Sequence, residues 1–306
     1  MRVIEKIKKM VALVRSIDVR LQKVQQALGR IEYRQLAIRG HEGFNEHEYQ
    51  VYSQWGEDGL IQYLINRVAI EHPIFVEFGV EKYTESNTRF LLINNNWSGL
   101  VIDGSEENIQ SIKNDPIYWR HNLKAECAFI DKENINSLIK RNGISGDIGL
   151  LSVDIDGNDY WVWEAINVVN PRIVICEYNS LWGSEKSVTT PYDSAFFRTN
   201  AHYSNLFFGA SIAAFVKLAT AKGYSLVGSN KAGNNIFFVR NDLLQNLTVV
   251  TPEQAWVESQ FRESRDMSGQ LTFLDFADRL AEVADMPVVN LNDGKQYKVR
   301  EIYKIQ

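Results

Sequence analysis

The stretch Ile74–Asn108 leaves the chain few folds to choose from. Ile74, Phe75, Val76 and Phe78 form a short apolar run between Pro73 and Gly79, as in a strand buried on both faces, with Glu77 interrupting it near the end. Leu100, Val101 and Ile102 form a second run that stops at Asp103. Between them, Thr88–Asn96 carries Phe90, Leu91, Leu92 and Ile93, a packed crossover helix that Ser86 or Asn87 can cap. Together they predict a βαβ unit. Ligands of open α/β sheets lie beyond the carboxyl ends of the strands, where Glu77, Gly79 and Asp103 fall. Gly79 permits a tight turn and a close backbone approach to a ligand. Asp103 is placed to accept hydrogen bonds from ribose hydroxyls; a structural acid in an α/β core is the other reading. The turn reads Gly79-Val80-Glu81-Lys82-Tyr83 rather than G-x-G-x-x-G, a poor cradle for pyrophosphate. A neutral or cationic adenosine cofactor suits it better.

A second informative stretch is Gly149–Asp159. Leu150, Leu151 and Val153 predict a strand ending in Asp154-Ile155-Asp156-Gly157. Tyr160–Val169 reads as a helix, and Arg172–Glu177 as the next strand. Residues two apart in a strand point the same way, so Asp154 and Asp156 are expected on one face. Neighbouring parallel strands lie about 4.8 Å apart, which brings Glu177 to the same sheet edge. Three carboxylates there require a shared proton or a cation. Oxygen-only ligands suit Mg²⁺, Ca²⁺ or Mn²⁺, and Asp154, Asp156 and Glu177 are the candidate set. Helix capping by these acids is the alternative.

The motifs VEFGV and WSGLVIDGSEENI resemble the first two motifs of class I S-adenosylmethionine (SAM) methyltransferases, especially the FkbM-like sugar methyltransferases. The resemblance covers roughly residues 52–244. It implies a Rossmann-like α/β fold, with a mostly parallel seven-stranded sheet and an antiparallel edge hairpin. It also implies Glu77 near the methionine end of SAM and Asp103 on the ribose, with Gly79, Gly104 and Ser105 beside them. The segment Tyr52-Ser-Gln-Trp-Gly-Glu-Asp-Gly59 looks like a recurrent feature of the group. It reads as a lid over the methionine end, with Gln54 and Asp58 at the cofactor, or as simple helix capping. The family pattern puts the segment after Ala128-Phe129-Ile130, expected as the third strand, near the adenine. There Asp131 is expected to bond the adenine amino group or to cap the next helix. Ile155-Asp156-Gly157 followed by Glu177 also looks like the metal-dependent macrocin-type sugar O-methyltransferases. That carry-over makes Asp156 and Glu177 ligands of Mg²⁺ or Mn²⁺, with Asp156 as base. The implied activity is methyl transfer to a hydroxyl of a sugar or glycan, in surface polysaccharide biosynthesis. A non-catalytic scaffold of the same fold, assembling a polysaccharide-biosynthesis complex, is one rival. A nicotinamide-dependent sugar enzyme is another, opposed by the missing G-x-G-x-x-G and by Glu81.

The rest of the chain adds a frame. Residues 1–39 contain no proline and one glycine, Gly29. Ile4, Ile7, Val11, Val14, Ile17, Leu21, Val24, Leu28 and Ile31 step by threes and fours, a narrow heptad seam. Self-association as a coiled coil is the favoured reading, ahead of packing on the protein's own body. A basic amphipathic helix on anionic lipid comes third, because the seam is lean in aromatics. Through Gly40 there are ten Lys/Arg and three Asp/Glu, a net +7, so the remainder carries −12 of the whole chain's −5. That acidic body makes nucleic acid a poor partner. Gly40–Asn45 reads as a linker to a domain over residues 46–244, followed by an extension over 245–306 with helices at 252–263 and 271–284 and a hairpin at 288–303. Cys127 and Cys176 sit in apolar runs and are expected as buried free thiols in a reducing compartment. With no run long enough to span a bilayer, the expected location is the cytoplasm. Residues 178–198 form a long segment without period, read as an acceptor loop. Asn179, Trp182, Tyr192 and His202 are its candidate sugar contacts, and His202 is an alternative base.

Overall fold

The apolar run at Ile74–Phe78 becomes β1, in the middle of a seven-stranded sheet. The computed structural model describes residues 2–39, 43–260 and 264–305. Beside β1 lie β2 (Ser98–Asp103) and β3 (Leu123–Cys127) on one side, and β4 (Gly146–Val153) and β5 (Val169–Glu177) on the other, all parallel. A short strand, β6 (Val188–Thr189), belongs to a second sheet. The hairpin β7 (Tyr224–Ser229) and β8 (Asn235–Arg240) completes the first, β8 running antiparallel to β5. The order is β3-β2-β1-β4-β5-β8-β7. This is the mostly parallel sheet with an antiparallel edge hairpin of a Rossmann-like class I methyltransferase fold. Its order reverses between β1 and β4, which is where such sheets open a crevice.

Helices cover both faces. Long helix α1 (Arg2–Arg39) comes first in the chain. On one face of the sheet lie α2 (Glu57–Ile65), α3 (Arg89–Asn94), α4 (Glu106–Asn114) and α5 (Pro116–Arg120), whose Leu60, Leu64, Leu91, Ile109 and Ile117 pack on Phe75, Val101 and Leu150. On the other lie α6 (Ile135–Arg141), α7 (Asp159–Ala165) and, after the short α8 (Arg198–Ala201), α9 (Ile212–Lys222). Their Leu138, Trp163 and Phe215 pack on Val76, Leu151 and Val174.

Five sequence expectations shift. The helix expected at Tyr160–Val169 is Asp159–Ala165, and Val169 already opens β5. The third strand is Leu123–Cys127, not Ala128–Ile130. At the sheet edge one flank is open, so Lys124 is exposed and Cys127 only half-buried, and the strand lacks the continuous apolar run of a central one. Residues 128–130 leave the sheet instead. The helix expected at 252–263 is a single turn, Pro252–Ala255, with residues 261–263 outside the described residues. The helix expected at 271–284 is Phe276–Glu282. The C-terminal hairpin is β9 (Pro287–Asn290) and β10 (Lys295–Lys298), with the end of its expected span forming a helix, Val299–Tyr303.

β9 also pairs with β6, and Val283, Val288 and Val299 share a small core with Leu181, Trp182 and Phe207. The C-terminal segment therefore buttresses the loop between β5 and α9. Of the expected linker, residues 40–42 lie outside the described residues, and Phe44 is packed edge-on against Tyr63 and Phe237, with ring centroids 5.8 and 5.3 Å away. α1 docks through its second half: Gln26 donates to the Tyr52 hydroxyl at 2.7 Å, Gln25 donates to the Val51 carbonyl, and Tyr33 and Leu36 pack on Tyr49, Val51 and Phe90. Among the described residues no helix is long and apolar enough to cross a membrane.

Candidate active site

Gly79 ends β1 with φ +67, in the left-handed region, and a Cβ there would overlap the Asp154 carbonyl oxygen. Only glycine lets the turn after β1 lie against the end of β4. Beyond this point opens a cleft of about 970 Å³. It lies over the carboxyl ends of β1, β2, β4 and β5.

Asp103 ends β2 and is 8% exposed. Its Oδ2 accepts the Glu81 N–H at 2.7 Å, and its Oδ1 accepts Ser105 N–H at 2.8 Å and Asn108 Nδ2 at 3.0 Å. The carboxylate is fixed from behind and ties the first turn to the second. Ser105 also caps α4, accepting Asn108 N–H at 3.3 Å. Glu77 plays a similar part for the loop before α3. It accepts N–H groups of Asn87 at 2.8 Å and Thr88 at 3.1 Å, and the Thr88 hydroxyl. Burial pushes its carboxyl up to about 7, against the pull of those donors. Gln54, Glu77, Gly79, Asp103, Gly104, Ser105, Asp154, Asp156 and Glu177 all line the cleft.

The acid cluster differs from expectation in one member. β4 ends at Val153, so the two-residue alternation does not carry on to Asp156. Asp156 has φ +57 and turns outward; its side chain is 58% exposed and pairs with Arg198 at 2.8 Å. Asp159 takes its place, so that Asp154, Asp159 and Glu177 bring oxygens within 4.8 Å of one another. Both Asp159 oxygens already accept backbone N–H groups, of Ile155 and Gly157, at 2.8 Å. Glu177 Oε2 is buried with no hydrogen-bond partner. Burial, and then the charges of neighbouring acids, pushes Asp154 and Glu177 well above the usual carboxylate range. These residues fit a divalent cation held by Asp154 and Glu177, with Asp159 behind them.

Several other expected site residues stand elsewhere. Asp58 is fully buried outside the cleft, its Oδ2 accepting the N–H groups of Val51, Tyr52 and Ser53. Ser53 Oγ in turn accepts the Asp58 N–H at 3.0 Å, in the first turn of α2. Asp131 caps its own turn, accepting Asn134 N–H at 2.7 Å, while Phe129 and Ile130 reach the cleft instead. His202 Nδ1 lies 2.7 Å from the Ser204 hydroxyl, away from the cleft, and burial lowers its pKa. Asn179 and Trp182 are buried and bond the carbonyls of Leu206 and Phe208, and Tyr192 bonds Glu133. A long loop needs internal anchors to hold its shape, and these side chains serve that need. Asn234 and Asn235, at the turn between β7 and β8, also line the cleft, and Asn235 Nδ2 donates to buried Glu57 at 2.9 Å. Sequence reasoning missed Arg198, Phe196 and Phe197, which wall the cleft from the α8 segment, and Trp55 at its rim. The only readable signal was the clustering of Phe-Phe-Arg in an otherwise hydroxyl-rich loop.

Seven carboxylates line the cleft, against one basic residue, Arg198, among the described residues. Even with burial favouring protons on Glu77, Asp154 and Glu177, the excess of acids over bases disfavours a pyrophosphate and favours a cationic ligand.

No protein-family model matches this chain, and no curated protein does. Among solved structures it is similar to the N-terminal domain of EvdMO1, determined with SAH and D-fucose. That match has 10% identity over 60% of this chain and 82% of that one, at TM-score 0.38. A SAM-dependent methyltransferase from Clostridium acetobutylicum matches at 10% identity over 62% and 92%, with TM-score 0.39. PKMT2 from Rickettsia typhi, in complex with AdoHcy, matches at 11% over 63% and 54%, with TM-score 0.41. All three likenesses are distant.

Proposed function

We propose that this protein is a SAM-dependent methyltransferase acting on a hydroxyl of a sugar or glycan. The observation that carries this reading is the acid-lined cleft at the switch point, with Asp103 held by three N–H donors at the end of β2. That lining suits the sulfonium and ammonium charges of SAM and disfavours a nicotinamide dinucleotide. Asp103 would take the ribose, its N–H partners leaving further lone pairs for hydroxyl donors. Gly79, Gly104 and Ser105 admit the cofactor's backbone-side approach. Bound there, SAM supplies an electrophilic methyl group. The protein's part is to align an acceptor oxygen, accept its proton and exclude water. The Asp154–Glu177 pair lines the cleft; burial and then neighbouring acids raise both carboxyl groups, so the pair holds a proton readily, and its ionised member would take the acceptor's proton. Phe196, Phe197 and Trp55 offer apolar faces for a sugar ring to stack on. The sugar class and a place in surface polysaccharide synthesis rest on the resemblance to FkbM-like enzymes.

A second feature concerns a metal. The orphan Oε2 of Glu177 favours a divalent cation, Mg²⁺ or Mn²⁺, between Glu177 and Asp154. Such an ion would lower the acceptor hydroxyl's pKa. Full turnover in excess chelator would leave the pair acting through a shared proton alone.

Calorimetric titration with SAM, S-adenosylhomocysteine and NAD tests the main reading. SAM and its demethylated product are expected to bind and NAD is not. Asp103→Ala is expected to weaken SAM binding by about 1.5–3 kcal/mol, the worth of hydrogen bonds to a charged group. Binding of NAD in preference to SAM sinks the proposal.

A further inference from the structure

The heptad stripe of α1 is not the face that docks on the body. Docking uses Gln25, Gln26, Gly29, Tyr33 and Leu36. At 3.6 residues per turn, Leu21, Val24, Leu28 and Ile31 centre about 130° around the helix from that face. All nine stripe residues, from Ile4 to Ile31, are 44–61% exposed. A helix whose body contact is already made therefore carries a second, apolar contact surface that nothing among the described residues covers.

We propose that this stripe packs against the same stripe of a second copy of the chain. The stripe is one residue wide and follows the heptad step, which fits a helical partner of equal period rather than a flat surface. Nine half-exposed aliphatic side chains offer on the order of 800 Å² per copy, about 1,600 Å² for a pair, the size of a standard stable interface. Its offset from the docked face leaves the stripe exposed although the helix is docked. Helices that lie on lipid carry Trp and Phe beside Leu on their apolar side; this stripe has no aromatic residue, the one aromatic of α1, Tyr33, being spent on the body. Charge gives the pairing a signature. Residues 1–40 carry a net +7, so two copies repel, and salt strengthens their association. Attachment to anionic lipid has the opposite salt dependence.

Sedimentation of the full chain at about 0.05 M and about 0.5 M salt tests this directly. The expected result is an assembly of at least twice the chain mass, with an apparent dissociation constant several-fold tighter at the higher salt. Leu21→Glu with Leu28→Glu is expected to give single chains with an unchanged melting temperature, because both side chains are already exposed. A single-chain mass for the natural sequence at both salts overturns the proposal; flotation of those chains with phosphatidylglycerol vesicles would assign the stripe to lipid. An assembly that survives the double substitution also overturns it. None of these readouts depends on methyl transfer, so this inference and the functional reading stand or fall separately.

Discussion

The Oδ2 atom of Asp58 accepts N–H groups of Val51, Tyr52 and Ser53 at 2.6–2.7 Å, in a site closed to water. Burial outweighs those donors and pushes the carboxyl up to about 6. Between about pH 4 and 6 the native chain thus holds a proton that the unfolded chain has lost, and stability falls as pH rises through that window. Asp58→Asn keeps an acceptor for the three amides and cannot ionise. Its melting temperature is expected to vary less with pH over the window than that of the natural sequence; identical pH dependence would remove Asp58 as a source. Glu177 raises a question of chemistry instead of stability. Glu177→Gln is expected to lower turnover about 10²–10⁴-fold, the usual worth of a general base, with SAM affinity nearly kept. Asp156→Asn, which touches only an exposed ion pair with Arg198, is expected to cost far less. Equal losses in the two variants would return the base role to Asp156. The sequence placed acids at the right strand ends, since strand ends are marked by where apolar runs stop. It did not reveal which acids the backbone itself consumes. Asp58, Asp131 and Asp159 all accept nearby amides, and that depends on local φ and ψ, which residue identity sets only loosely.

At the scale of elements, β1, β2, β4 and β5 were legible because strands covered on both faces carry near-continuous apolar runs. β3 was misplaced by several residues, since an edge strand lacks that run. For α1, period and length were readable, and so was one sign of docking. Glycine inside a helix costs about 1 kcal/mol relative to alanine, and Gly29 is explained by contact: a Cβ there would stand 2.5 Å from Val51 Cγ2. The seam predicted by period and the face chosen by packing turned out to be different faces. Truncation separates them. Removing residues 2–20 is expected to leave the body's melting temperature unchanged, because every described docking contact lies beyond Leu21. Removing residues 2–39 uncovers Val51, Tyr52 and Phe90, and is expected to cost about 2–4 kcal/mol from lost apolar burial. Calorimetry on the two truncations checks this; equal stability would mean the docked half of α1 adds nothing to the body.

For the whole molecule, the region after Leu244 decides whether the cleft has a wall. β9 pairs with β6, and Val283, Val288 and Val299 fill a core with Trp182 and Phe207. The Tyr303 hydroxyl donates to the Trp182 carbonyl at 2.6 Å, and Trp256 Nε1 donates to the Ser180 carbonyl at 3.0 Å. These contacts grip the loop between β5 and α9 at its start. The same loop carries Phe196, Phe197 and Arg198 to the cleft, and Arg198 both pairs with Asp156 and stacks 3.8 Å over Phe208. Cutting the chain after Leu244 removes β9, the strand partner of β6, and uncovers Trp182. The seven-stranded sheet loses buried Leu247 and Ala255 from its two cores but keeps the other buried residues of both, so a truncated chain is expected to retain its α/β circular dichroism. The cleft wall is expected to loosen. Acceptor alignment and water exclusion depend on that wall, whereas Asp103 and Gly79 sit on the sheet. Turnover should therefore fall at least 100-fold while SAM affinity changes by less than about tenfold, a split in free energy of over 1 kcal/mol between the two readouts. Parallel loss of SAM binding and turnover would mean that the C-terminal segment supports the sheet itself, and that the molecule is one cooperative unit rather than a sheet with a braced loop.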